Sequence, residues 1–158
     1  MKPIRQLLLA GLAGFMTIGV MAQPQHPMKT DSERNGSAVD EKAHLVSLLK
    51  AQFEKPDAPL DVTPVVISGA YAVVGWEQAG HGGRALLSQK GQTWKILVCG
   101  GEGLREVGPL VQAGVPSGEA QVLAGRVKTA EAALSAPKRK TLDSFGAVIR
   151  MDQEPKGH

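Results

Sequence analysis

The spacing of apolar residues changes along the chain from helical to alternating and back to helical. The first helical stretch is marked by five apolar residues, namely Leu45, Val46, Leu48, Leu49 and Phe53. We expect this N-terminal helix to begin at Ser37, whose hydroxyl is suited to an N-cap. We expect it to end before Pro56, because the residue preceding a proline avoids the α region.

The middle of the chain alternates apolar and polar positions, as half-buried strands do. Short strands are predicted over residues 65–67, 70–77, 84–89 and 93–99. Glycine-containing turns separate them, so they form an antiparallel meander of three to four strands. Strict alternation in the last strand places Trp94, Ile96 and Val98 on one face and Cys99 on the other.

Helical spacing returns after a glycine-rich break at residues 100–103. A longer helix, capped by Ser117, carries an apolar stripe formed by Leu123, Val127, Ala130 and Leu134. A short strand is expected over residues 147–151. Because strands and helices come in runs rather than alternating strictly, we predict a single α+β domain over residues 37–151. Its tryptophan-bearing sheet face is expected to pack on the helices.

The start of the chain has the pattern of a secretory signal peptide. Lys2 and Arg5 precede an apolar run over residues 7–20, and Ala22 offers a small residue at a cleavage position. The apolar run is short for a membrane span of about 30 Å. We therefore expect residues 1–22 to be removed on export, with no stable membrane insertion afterwards.

Flexible segments are expected at both ends of the predicted domain. Residues 23–36 and 152–158 are polar and show no apolar periodicity. His26 and Met28, in the first of these segments, are weaker candidates for soft-metal ligands.

Charge and motifs narrow the classes of function. The chain has 158 residues and a formal net charge of +3, and removal of the predicted signal peptide leaves 16 basic and 15 acidic residues. A chain so close to neutral has no broad positive field for nucleic acid. The sequence contains no H-E-x-x-H, G-x-S-x-G or C-x-x-C motif, so we do not expect an enzyme.

The single cysteine, Cys99, is the residue that most needs an explanation. In an exported chain it is buried and inert, paired with another molecule, or a soft-metal ligand. The predicted hairpin pairs Gly82 or Gly83 with Cys99, which brings the turn holding His81 close to the thiol. Imidazole and thiolate both suit copper, so the two residues are candidate ligands, with Glu77 as a weaker one. The alternative is that Cys99 is a residue of the core and His81 is an exposed residue of the turn, with no shared metal.

Four segments of the predicted domain carry a resemblance to a known family. They are Gly75-Trp76-Glu77-Gln78, then Gly82-Gly83-Arg84-Ala85-Leu86-Leu87, then the run from Trp94 to Leu104, and Gly114-Val115-Pro116. As an ordered set they resemble the copper uptake system-associated proteins, which are small exported proteins of Gram-negative bacteria. The resemblance covers roughly residues 38–151. It implies a periplasmic role in copper handling, with copper-acquisition proteins of the periplasm or outer membrane as partners.

Two hypotheses of different class follow. The first is a periplasmic accessory protein of copper uptake, which binds Cu(I) or a copper-carrying partner and uses His81 and Cys99 as ligands. The second is a metal-free interaction or small-ligand-binding module, in which Cys99 is structural.

Overall fold

The computed structural model describes residues 31–151, with side chains described from residue 36 onward. The predicted signal peptide, most of the predicted leader and the predicted tail lie outside these residues. The first helix, α1 (Asp31–Phe53), begins six residues before the expected Ser37. It ends close to Pro56, as its sequence predicts.

The sheet has five antiparallel strands in chain order. They are β1 (Asp61–Ser68), β2 (Tyr71–Gln78), β3 (His81–Lys90), β4 (Thr93–Gly100) and β5 (Ile149–Arg150). Two-residue turns join the first four strands, and each turn contains at least one residue with positive φ, as tight hairpins require. The predicted meander and the α+β class are confirmed. The fifth strand comes from the C-terminal segment, which pairs with β4.

The helices after the sheet begin with a 3-10 turn (Glu102–Arg105), and then come α2 (Val107–Gln112), α3 (Ser117–Ala132) and α4 (Ala136–Asp143). Pro116, and not the expected Ser117, occupies the N-cap position of α3. The hydroxyl of Ser135 caps α4 by accepting a hydrogen bond from the backbone N–H of Lys138.

The two faces of the sheet carry separate apolar cores. Helix α1 covers the face that bears Trp76 and Trp94, whereas α2 and α3 cover the opposite face. The predicted stripe on α3 does face the sheet, since Leu123 and Val127 are fully buried. The expectation that the tryptophan face packs on the helices is therefore confirmed for α1, whereas α2 and α3 pack on the face without tryptophans.

A β-bulge in β4 changes which residues face α1. Between the pairs that Ile96 and Val98 form with β3, Leu97 has no partner on that strand. The extra residue reverses the alternation beyond it. As a result Cys99 joins Trp94 and Ile96 in the α1-side core, whereas Val98 lies in the other core. The prediction that Cys99 faces away from Trp94 is wrong for this reason.

The side chain of Arg84, on β3, is fully buried and ties the sheet to two helices. Its Nε and Nη2 donate to the carboxylate of Glu131 on α3 at 2.6 and 2.8 Å. Its Nη1 donates to the carbonyl of Leu142 at 3.1 Å, and Nη2 also donates to Asp143 at 2.9 Å. Burial by itself would lower the pKa of Arg84, but the hydrogen bonds and charges of the two acidic partners raise it above its ordinary value.

Two glycines allow the chain after α4 to cross the end of the sheet. A Cβ placed on Gly83 would lie 2.9 Å from the Cβ of Phe145, and one placed on Gly101 would lie 2.4 Å from the carbonyl oxygen of Phe145. Larger residues at these positions would push the crossing segment away. Within the glycine-rich break at residues 100–103, packing therefore explains Gly101.

The α3 stripe generates a stability prediction. Leu123→Ala should lower the free energy of unfolding by about 2–5 kcal/mol, because it leaves a cavity in a fully buried layer. The matched control is Val122→Ala on the same helix, where the side chain is 47% exposed and the expected change is within about 0.5 kcal/mol. Urea unfolding of both variants checks the prediction. Equal losses would show that the stripe is misplaced.

Candidate functional site

A cavity of about 380 Å³ lies between α1, the sheet and the segment that follows α4. It is lined by Leu49, Phe53, Lys55, Leu60, Trp76, Gln78, Ala85, Cys99, Phe145, Ile149 and Met151. Apart from Lys55, Gln78 and the indole N–H of Trp76, the side chains of this lining are hydrocarbon and sulfur. A volume of a few hundred Å³ with such a lining is typical of small-molecule sites.

Elements far apart in sequence form the cavity walls. Helix α1 contributes Leu49 and Phe53, and the sheet contributes Trp76 and Cys99. Phe145, placed by the chain crossing after α4, meets the Trp76 ring edge to face, with ring centroids 5.4 Å apart and an interplanar angle of 76°. The cavity therefore depends on the C-terminal segment as much as on the sheet.

The two polar lining residues differ in role. The amide of Gln78 donates to the backbone carbonyls of Phe53 at 3.1 Å and Ala58 at 2.8 Å. These bonds anchor the end of α1 and the loop after it to β2. Among the described residues, Lys55 is the only charged one in the lining, and it is exposed. It therefore provides a positive charge at the rim of an otherwise apolar site.

Cys99 is 8% exposed and forms part of the cavity wall. Burial raises the pKa of its thiol from 9.0 to about 11, because the thiolate would lose its hydration. At neutral pH the side chain is therefore a neutral thiol. A protonated, buried thiol is a poor nucleophile, so the site does not have the activated cysteine of a thiol enzyme.

The structure does not bring His81 and Cys99 together. Cys99 pairs with Ala85, four residues along β3 from His81, and four strand residues span about 13 Å. The predicted pairing of Cys99 with Gly82 or Gly83 is wrong. Gly91 and Gln92 form the turn after β3, so without a bulge the partner of Cys99 would be Arg84. The bulge at Leu97 moves the partner one residue further, to Ala85. Direct shared ligation needs donor atoms about 4 Å apart.

The other predicted ligands are also away from the cavity or outside the described chain. Glu77 lies between Trp76 and Gln78, which both line the cavity, so strand alternation directs its carboxylate to the opposite face. His26 and Met28 precede the described residues. Within residues 31–151 no three His, Cys, Asp or Glu side chains are grouped so that they could hold a metal ion.

Met151 is a site residue that the sequence patterns did not single out. Ile149 pairs with Cys99, and Met151 lies two residues further on, where its N–H donates to the carbonyl of Leu97 at 2.8 Å. It is therefore a diagonal cross-strand neighbour of Cys99, and both residues line the cavity. The predicted strand over residues 147–151 was a partial signal, because it indicated that this segment pairs with a strand but did not identify β4 as its neighbour.

Comparisons with known protein families, with characterised proteins and with solved structures give no match for this chain. None of the helices in residues 31–151 combines the length and apolar character that crossing a membrane requires.

Burial of the thiol generates a prediction about pH. The folded-state pKa of Cys99 exceeds its ordinary value, so the folded protein binds more protons than the unfolded chain between pH 9 and about 11. The free energy of unfolding should therefore fall through that window and level off above it, as far as Cys99 is concerned. Denaturant unfolding of the wild type and Cys99→Ala at each pH isolates this contribution, because the lysines titrate in both proteins. Parallel pH curves would contradict it.

Proposed function

We propose that this chain is an exported binding module that takes a small carboxylic acid with an apolar body into the cavity walled by Cys99 and Trp76. The observation that carries the proposal is the lining, which is almost wholly apolar and has a single charged residue, Lys55, at its rim. An apolar interior accepts the hydrocarbon part of a ligand at a gain of about 25 cal/mol per Å² removed from water.

The position of the charge favours a carboxylate over other polar groups. A carboxylate inside the apolar part would lose its hydration without compensation. At the rim it stays partly hydrated and lies beside the ammonium of Lys55. The neutral thiol of Cys99 adds no charge to the interior, so it serves as wall and not as an ionic partner.

Binding is tested by fluorescence in a Trp94→Phe background, which leaves Trp76 in the cavity wall as the single reporter. We expect a saturable change in tryptophan fluorescence on titration with decanoate. Lys55→Gln should weaken the binding of decanoate, and it should weaken the binding of the uncharged decanol much less. Ile149→Glu should weaken decanoate binding at least tenfold, because it places a like charge at the cavity. Its matched control is Val148→Glu, on a neighbouring, more exposed residue that does not line the cavity.

Two results would contradict this proposal. One is the absence of saturable binding by the folded protein. The other is equal binding by Ile149→Glu and Val148→Glu, which would place the fatty acid somewhere other than the cavity.

A second candidate function is the periplasmic copper role implied by the family resemblance. The observation that favours it is the presence of two sulfur side chains, Cys99 and Met151, on one cavity wall. Thiolate and thioether are ligands that suit Cu(I). When Cu(I) replaces the thiol proton, the net charge of the site does not change, so a buried thiol with a raised pKa remains compatible with this cargo. Because only these two sulfur ligands are proposed, the copper would be two-coordinate, and it would either stay in the cavity or pass to a copper-carrying partner.

The copper role is tested by anaerobic titration of Cu(I) against a coloured chelator. Cys99→Ser and Met151→Leu should each weaken Cu(I) binding at least tenfold. His81→Ala should leave it within about twofold, because that side chain lies far along the strand. If Cys99→Ser binds like the wild type while a His26→Ala and Met28→Leu double variant does not, the cavity is not the copper site.

A further inference from the structure

A second feature lies at the open edge of strand β1. Strand β1 is an edge strand, and residues 65–67 form the floor of an open groove of about 780 Å³. Helix α1 forms one wall with Ala38 and Lys42, and α3 forms the other with Val122 and Arg126. The edge of the sheet is thus recessed between two helices and is not flush with the surface. We call this feature the β1 groove.

The register shows which backbone groups face the β1 groove. Ser68 and Tyr71 close a two-residue hairpin, so they form a hydrogen-bonded pair. Alternation along an antiparallel pair then directs the N–H and C=O of Val65 and Ile67 away from β2, toward the open edge. A contact confirms this direction, because Nη1 of Arg126 donates to the carbonyl of Ile67 at 3.0 Å.

The guanidinium of Arg126 takes the place that the N–H of a neighbouring strand would take. No other hydrogen bond to Val65 or Ile67 from outside β2 is found within residues 31–151. Edge strands are usually blunted by prolines, charges or bulges. In β1 these devices, Pro64 and the bulge beside it, lie in the first half of the strand. Residues 65–67 of the second half are apolar, and among the described residues their edge is protected only by the recess and by Arg126.

We propose that the β1 groove binds an extended segment of a partner protein, which adds as a further strand to the edge at residues 65–67. The partner's carbonyls would accept from the N–H groups of Val65 and Ile67, and its own N–H groups would donate to their carbonyls. Arg126 would be displaced from Ile67 by this addition. Main-chain hydrogen bonds of this kind supply affinity, and side-chain pockets at alternate positions supply specificity.

A second copy of this chain fits the groove less well than a single extended segment. Added strands must approach to about 4.8 Å. In a symmetric pair of copies both β1 edges are recessed, so helices α1 and α3 of each copy would keep the two edges from approaching to this distance. A lone strand meets no such obstacle, so the shape of the groove selects an extended peptide.

The walls also indicate the side chains of that segment. Alternate residues of an added strand point toward α1 and α3, where Ala38 and Val122 present apolar surface. Glu41 also lines the groove, where it accepts a hydrogen bond from the neutral amide of Gln89, so the described lining has two basic residues and one acidic residue. Lys42 and Arg126 form no salt bridge with any residue in the described part of the chain. A segment with alternating apolar residues and an acidic residue between them matches this surface.

The test uses a fluorescein-labelled heptapeptide with valine at alternate positions and glutamate and threonine between them. We expect saturable binding by fluorescence anisotropy and slower hydrogen exchange at the amides of Val65 and Ile67. A peptide of the same sequence, N-methylated on the residues that face β1, should bind at least tenfold more weakly. This pattern distinguishes strand addition from simple apolar contact.

Two glycines of α3 provide matched variants. Gly125 lines the groove and Gly118 does not, and a Cβ on either meets no atom within 4 Å. Both changes to glutamine favour the helix, so both variants should fold. Gly125→Gln should weaken peptide binding at least tenfold by filling the groove, and Gly118→Gln should leave it within twofold.

The proposal is overturned if the peptide does not bind, if it binds without protecting Val65 and Ile67, or if the two glutamine variants bind it equally. Protection of these amides by a concentration-dependent dimer in the absence of peptide would assign the groove to a second copy and would also overturn it. Ile149→Glu, at the cavity, should not change peptide binding, so this test is independent of the ligand proposed there.

Discussion

The buried guanidinium of Arg84 is the interaction on which the arrangement of the C-terminal half depends. It sits on the central strand and binds one acidic residue on α3 and another at the end of α4. A buried ion pair contributes stability only when its hydrogen bonds are made, since both partners lose their hydration. Here the charges of Glu131 and Asp143 and the carbonyl of Leu142 meet this requirement. Displacing either helix would leave buried N–H groups of the guanidinium without their acceptors.

The position of α4 determines the path of the chain that follows it. From Asp143 the backbone crosses the sheet end over Gly83 and Gly101, where only glycine leaves room. This crossing places Phe145 against Trp76 and brings Ile149 alongside Cys99. The cavity therefore has a floor made by the sheet and a roof made by a segment that the Arg84 network positions.

The two edges of the sheet have different surroundings. On one side the short strand β5 covers part of β4 and borders the cavity. On the other side, the outer edge of β1 pairs with no strand within residues 31–151, and it lies between α1 and α3. Helices on both faces protect the sheet and leave the second half of β1 accessible to one extended chain. The β1 groove and the cavity are therefore at separate places on the molecule.

Local patterns in the sequence were sufficient to predict most of the elements. Helical spacing predicted the body of α1 and the apolar stripe of α3. Alternation with glycine turns predicted the meander, and the order of the elements predicted the α+β class. These predictions were possible because the patterns depend on residues that are neighbours in the sequence. The sequence also singled out Cys99. The face on which Cys99 lies was settled by strand pairing, since one unpaired residue at Leu97 reverses the alternation. Contacts between residues far apart in the chain also decided three other features, which no local spacing encodes. They are the distance between His81 and Cys99, the burial of Arg84, and the position of Met151 next to Cys99 across the strands.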